Sequence, residues 1–179
     1  SPDEDPLAAD APEFHVDLTA DREEYVDGDR IHAGGNATFF FGGALAGAPV
    51  KWGVEASRSF FQPKGYSGYS FTDSDRFRTA QIREVLRADG ETATDSQGRF
   101  SFSVAASLNG NEGTQRFLLG ATVTDENAQQ SGERHTITVH PAAFYVGIRP
   151  ASYVARAGNA EAINLVTVDP AGKPVPGQS

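Results

Sequence analysis

The side chains that could do chemistry are few in kind. The chain has four histidines, His15, His32, His135 and His140, and no cysteine, which excludes thiol catalysis, disulfides, iron–sulfur clusters and Cys-ligated zinc within these 179 residues. A zinc site built on imidazole needs several ligands that converge. The histidines fall instead on strand-like segments, at polar parity or at a strand end, which predicts rings that face solvent. Acidic side chains gather at Asp21, Glu23, Glu24, Asp27 and Asp29, and again at Asp73 and Asp75. Neither group fits the D-x-[DN]-x-[DN]-G calcium loop, and hydrolysis by paired carboxylates would require two of them held across a cleft. Exposed loop carboxylates are the expectation. Tyr66-Ser67-Gly68 lacks both the G-x-S-x-G pattern and the strand-to-helix setting of a nucleophile elbow. Asn36-Ala37-Thr38 has the form of a glycosylation sequon but lies in the middle of a strand-like run. The segment is therefore read as non-enzymatic: no catalytic residue, no metal ligand, and no cofactor or cofactor-binding residue is expected.

One stretch offers recognition instead of reaction. From Phe60 to Phe71 the sequence reads Phe-Phe-Gln-Pro-Lys-Gly-Tyr-Ser-Gly-Tyr-Ser-Phe, aromatics alternating with small residues in a long connection. It can serve as a carbohydrate or peptide platform, or it can cover one end of the fold and pack on a neighbouring domain. The net charge of −9, with Lys and Arg scattered, speaks against nucleic acid and anionic membrane surfaces as partners. No apolar run approaches the ~18 residues that span a bilayer, so no direct membrane contact is expected of this segment.

The elements that must position these residues are strands. Phe14, Val16, Leu18 and Ala20 share one parity against His15, Asp17 and Thr19, the period of a half-buried strand. A turn at Val26-Asp27-Gly28-Asp29 leads to Ile31, Ala33, Gly35, Ala37, Phe39 and Phe41, again of one parity, with a bulge expected at Gly34-Gly35. Val50, Trp52, Val54 and Ala56 carry the single tryptophan inward. Phe100 to Ala106, Phe117 to Val123 and Ile137 to Val139 alternate in the same way. Between Ser57 and Arg87 a further strand ending near Leu86 is expected, although Ile82, Val85 and Leu86 also suit a helix. Asp95-Ser96-Gln97-Gly98 and Asp125-Glu126-Asn127 supply turns. Short strands with such turns and no helices between them predict an all-β, immunoglobulin/fibronectin-III-like antiparallel β-sandwich.

The chain also echoes itself. Phe14-His15-Val16 returns as Phe144-Tyr145-Val146 and Gly28-Asp29 as Gly158-Asn159, both 130 positions on. Tyr25-Val26 answers Tyr153-Val154 with a small indel, and Leu45 to Val50 is matched by Pro170 to Val175. The expected organisation is an acidic linker or tail over 1–12, whose composition cannot bury enough surface to order it, a complete domain over 13–141, and the first strands of a second copy over 142–179. With Ser1 at its start and no Met, the chain reads as a segment from inside a longer polypeptide.

The ordered series of motifs resembles the macroglobulin-like domains of α-2-macroglobulins, the bacterial ones above all. The residues that carry the resemblance are Tyr25-Val26-Asp27-Gly28-Asp29, Phe39 to Gly42, Ala48-Pro49-Val50-Lys51-Trp52, Thr94 to Phe100, Val123-Thr124-Asp125 and His140 to Val146. The resemblance implies a secreted or periplasmic protein, its parent either free or anchored to the inner membrane, that traps proteases after cleavage of a bait segment. Many members also couple through a Cys–Gln thioester, which cannot lie here. Implied partners are neighbouring macroglobulin-like domains and, through the full-length protein, proteases. Two other readings stay open: a ligand-binding sandwich such as an adhesin or carbohydrate-binding module using Tyr66 and Tyr69, and an accessory β-domain of a secreted hydrolase.

Overall fold

The computed structural model describes residues 12–71, 85–111, 113–152, 160 and 162–177, and every regular element among them is a strand. The strands are β1 (Phe14–Ala20), β2 (Glu24–Val26), β3 (Arg30–Phe39), β4 (Pro49–Arg58), β5 (Val85–Ala93), β6 (Arg99–Ala105), β7 (Gln115–Thr124), β8 (Gln130–His140), β9 (Tyr145–Pro150) and β10 (Ile163–Val168). They form a three-stranded sheet β1-β3-β6, a five-stranded sheet β2-β8-β7-β4-β5 and a separate antiparallel ribbon β9-β10.

Alternation decides which residues meet between the two larger sheets. Val16, Leu18, Ile31, Ala33, Phe100 and Phe102 face Val50, Val54, Phe117, Leu119, Val123, Ile137 and Val139 in one buried cluster. Full burial of one such aliphatic or Phe side chain stabilises the fold by about 1.5–3 kcal/mol. Trp52 enters the same layer and stacks on Phe102, ring centroids 4.6 Å apart. It reaches only the rim of the core and stays half-buried, because its neighbour β5 is an edge strand. The buried Thr94 ties a loop to this layer: its hydroxyl donates to the Leu45 carbonyl at 2.6 Å and accepts from the Ala48 amide at 2.9 Å.

Several expectations are corrected. Gly34 and Gly35 mark no bulge, since β3 keeps an unbroken register with both β1 and β6. Glycine is needed there for room: a Cβ on Gly35 would sit 1.8 Å from the Asp17 carbonyl oxygen and 2.6 Å from the Phe100 ring. Among the described residues the one register shift falls between Val54 and Glu55, in the β4–β5 pair. The strand described near Leu86 does not end there: it covers Val85–Ala93, exposed or half-exposed at every position, as an edge strand can be. Phe41 shares the parity of β3 but lies beyond its end and is 77% exposed. The short β2 pairs in parallel with β8, an exception in an otherwise antiparallel sandwich.

The β9–β10 ribbon reproduces β1–β3 residue for residue. Leu18 pairs with Gly35 and Ala20 with Ala33; 130 positions on, Ile148 pairs with Leu165 and Pro150 with Ile163. The following turn repeats as well: the Gly42 amide donates to Phe39 and the Gly172 amide to Asp169, both at 2.9 Å, and the bridge Thr38–Ala44 returns as Val168–Pro174. Pro170–Val175 is thus the counterpart of Phe40–Leu45, not of Leu45–Val50. Gly158-Asn159 and Tyr153-Val154 lie outside the described residues.

Candidate functional site

The acidic cluster is a set of anchors. Asp27 accepts from the Leu108 amide at 2.8 Å and Asp29 from the Val26 amide at 3.0 Å, while Arg22 lies 3.2 Å from Asp29 and over the Tyr25 ring. Asp21 accepts from the Tyr25 hydroxyl and the His32 amide, bonds that hold its carboxyl below the usual range. Burial, together with that Asp21 bond, pushes the Tyr25 phenol up to about 12. Each of these carboxylates fixes a turn, and Asp73 and Asp75 lie outside the described residues. The Asn36 amide is held against the Gln97 and Gly98 carbonyls, both at 3.2 Å. Among the described residues no three His, Asp or Glu side chains could together hold a metal ion.

Of the four histidines, His15 and His32 are exposed, with His15 stacked on Phe40, and His135 pairs with Glu23 at 3.1 Å. His140 departs from the solvent-facing expectation, being only 2% exposed. Its parity is outward, as read: Ile137 and Val139 point into the sandwich, so His140 lies on the other face of β8. That face is covered at its end by β9 and by the aromatic connection after β4.

The connection and the ribbon meet around this histidine. Phe61 is buried and stacks on Tyr145 with centroids 3.8 Å apart, and it meets His140 and Phe71 edge-on at 5.7 and 5.6 Å. Ser70 and Ile148 exchange backbone hydrogen bonds of 2.8 and 2.9 Å, a single antiparallel bridge on the ribbon's edge. Phe71 lies against Gly147, where a Cβ would come within 2.6 Å of its ring, so only glycine admits the contact. Tyr66 packs edge-on to Tyr69 and Phe71, and the Arg149 guanidinium covers the Tyr69 ring at 4.6 Å. Lower down, Gly172 packs on Pro63, and a cleft of about 210 Å3 runs between Ser59–Pro63 and Pro170–Ala171.

A chain of hydrogen bonds threads the joint. His140 Nε2 lies 3.0 Å from Glu24 Oε2, its Nδ1 lies 2.6 Å from the Tyr145 hydroxyl, and that hydroxyl lies 2.7 Å from Thr114 Oγ1. With the imidazole neutral every proton has a place: Thr114 donates to Tyr145, Tyr145 to Nδ1, and Nε2–H to the Glu24 carboxylate. Burial keeps the His140 pKa below its ordinary 6.5, against the opposing charge and hydrogen bond of Glu24. Burial likewise pushes the Tyr145 phenol up to about 12, so it stays protonated near neutrality. Glu, His and Tyr in series resemble an acid–base relay; its far end is Thr114, which with Glu24 and His140 lines the cleft beside Phe61. What the arrangement does is bind β2, β8, the start of β7 and β9 into one unit.

No family model matches the chain. Its sequence is 22% identical over 170 residues to an alpha-2-macroglobulin homolog of Nostoc sp. (strain PCC 7120), covering 93% of this chain and 9% of that protein. Its fold is similar to the trypsin-activated alpha-2-macroglobulin of Escherichia coli, with a TM-score of 0.64 at 13% identity, over 90% of this chain and 12% of that one. It is also similar to a Salmonella alpha-2-macroglobulin reacted with methylamine, with a TM-score of 0.65 at 16% identity, over 91% and 11% of the two chains. The fold is thus the macroglobulin-like all-β sandwich, and the chain resembles a short stretch of the bacterial alpha-2-macroglobulins.

Proposed function

We propose that this chain is a scaffold segment of a bacterial α-2-macroglobulin-like protease trap, with no catalytic chemistry of its own. The proposed units are a tail over 1–12, a domain over 13–141 and the opening of a second domain over 142–179. Its partners are then the neighbouring macroglobulin-like domains and, through the longer protein, proteases, in a periplasmic or extracellular setting. The observation that carries this reading is the joint: a buried polar chain and an aromatic stack fasten β9 to the preceding sandwich. A trap that rearranges when cut must move rigid bodies, and close-packed units with locked joints transmit displacement instead of absorbing it.

The competing platform reading draws on Tyr66 and Tyr69. Both rings are half-buried; they pack edge-on to each other, Tyr66 also on Phe71, and Arg149 covers Tyr69, which leaves little of either for a sugar. The test is to expose the longer polypeptide that carries this segment to trypsin. Trapping predicts a mobility shift on a native gel with active protease retained in the shifted band. A folded protein that shifts in neither respect would refute the trap.

A further inference from the structure

The connection between β6 and β7 holds two neighbours that can react with each other. Asn109-Gly110 is the only Asn-Gly step in the chain. Both residues have positive φ, 51° and 75°, and the Asn111 amide donates to the Leu108 carbonyl at 3.1 Å, which closes a two-residue turn. Both are exposed, and a Cβ on Gly110 would meet no atom within 4 Å, so nothing crowds the glycine. Among the described residues nothing accepts from the Gly110 amide.

The Asn109 side chain already faces a donor. Ser107 Oγ accepts from the Asn109 amide at 3.2 Å and donates to Asn109 Oδ1 at 2.9 Å. A hydroxyl on that oxygen polarises the side-chain carbonyl and is in place when negative charge develops on it. The other described asparagines lack this combination. Asn36 is held against the Gln97 and Gly98 carbonyls, Asn111 donates from Nδ2 to the Leu108 carbonyl at 2.6 Å, and Asn164 lies within β10. Asn127 is exposed in a turn like Asn109, but the residue after it is Ala128.

We infer that Asn109 is a self-modifying site, converted by attack of Gly110 and with the help of Ser107 into an aspartyl or isoaspartyl residue. The Gly110 nitrogen is a weak nucleophile while its lone pair is delocalised into the peptide bond, so it first gives its proton to a base in the solvent. It then bonds to Asn109 Cγ while Ser107 holds the oxyanion; the Cγ–Nδ2 bond breaks, and the nitrogen takes up protons and leaves as ammonia. Water opens the resulting cyclic imide at either carbonyl. In sum one water is consumed and one ammonia released, with no change of oxidation state. Opening at the α-carbonyl carries the main chain through Cβ and Cγ, one methylene longer. Both bonds from Asn111 to the Leu108 carbonyl span that step, so the isoaspartyl product loses them and loosens a connection anchored by the fully buried Leu108. The inference rests on this turn alone and is independent of protease trapping.

The test incubates the folded chain at pH 8 and follows its peptides by liquid chromatography and mass spectrometry, which separate the Asn, Asp and isoAsp forms. Asn109 converts at least about tenfold faster than Asn127. Ser107→Ala slows the conversion roughly 2- to 10-fold, what one neutral hydrogen bond to the developing charge contributes, while hydrogen exchange at Phe117 stays as in the parent. In concentrated urea the parent and Ser107→Ala convert at the same rate, because the fold no longer holds the hydroxyl on Oδ1. Conversion of Asn109 no faster than that of Asn127 in the folded chain overturns the inference. So does a folded Ser107→Ala that converts as fast as the parent or faster, which would make the hydroxyl a bystander or a restraint. An effect of Ser107→Ala that persists in urea also overturns it, by tracing the effect to local sequence instead of to the folded turn.

Discussion

Removing the Tyr145 hydroxyl isolates what the joint contributes. Tyr145→Phe keeps the ring on Phe61 but deprives His140 Nδ1 and the Thr114 hydroxyl of their shared partner. His140 and Thr114 are 2% and 5% exposed, and since both also line the cleft beside Phe61, a water that enters there sets the lower end of the loss. Leaving a buried acceptor unpaired costs about 1–3 kcal/mol. Because that loss is confined to the contact between sandwich and ribbon, it lowers the free energy of local opening and not that of global unfolding. At 1.4 kcal/mol per factor of ten, exchange of the Ile148 amide rises roughly 5- to 150-fold. Hydrogen exchange read by mass spectrometry resolves β9 from β7, whose Phe117 and Leu119 amides report the sandwich core. No acceleration at Ile148, or an equal acceleration at Phe117, would refute the account of the joint.

The joint also depends on pH. Because the folded-state pKa of His140 lies below 6.5, its contribution is complete above pH 6.5 and declines as pH falls through the window between that value and the depressed one. Protection of the Ile148 amide, taken relative to its intrinsic exchange rate at each pH, therefore falls as the solution is acidified from pH 7.5 to 5, and His140→Gln flattens the slope. Gly35→Ala must separate β1 from β3 and lowers stability by several kcal/mol in a denaturant titration, whereas Gly120→Ala, with no atom nearer than 4.0 Å, stays within about 0.5 kcal/mol of the parent. Thr94→Val removes both the Leu45 and Ala48 bonds and costs about 2 kcal/mol in the same titration.

How much of this was legible depended on where burial came from. Alternation exposed β1, β3, β4, β6, β7 and β8, because each has one face against the opposite sheet, and the period of two records that directly. It did not find β5: Arg87 to Glu91 lie on an edge strand with little apolar content. It could not find β2, three residues held by backbone pairing to β8. His140 illustrates a subtler limit. Its outward parity was read correctly, yet the outer face of β8 is buried by the aromatic connection and by the ribbon, a tertiary event with no local period. The cue in the sequence was the aromatic connection itself, whose packing role outweighed its value as a platform once Phe61 met Tyr145. The echo misled for a related reason. Ala46-Gly47-Ala48-Pro49-Val50 matches Ala171-Gly172-Lys173-Pro174-Val175 letter by letter better than the true counterpart does, but hydrogen bonding at Gly42 and Gly172 sets the correspondence.

The central claim is that sandwich and ribbon move as one body. Since the chain has no cysteine, spin labels can be placed without background on exposed Ser101 of β6 and Asn164 of β10. A Ser101→Cys/Asn164→Cys variant measured by double electron–electron resonance at pH 7.5 should give a single narrow distance, broadened when Phe61→Ala is added. A broad or two-peaked distribution in the variant that retains Phe61 would contradict the rigid joint, and with it the scaffold role.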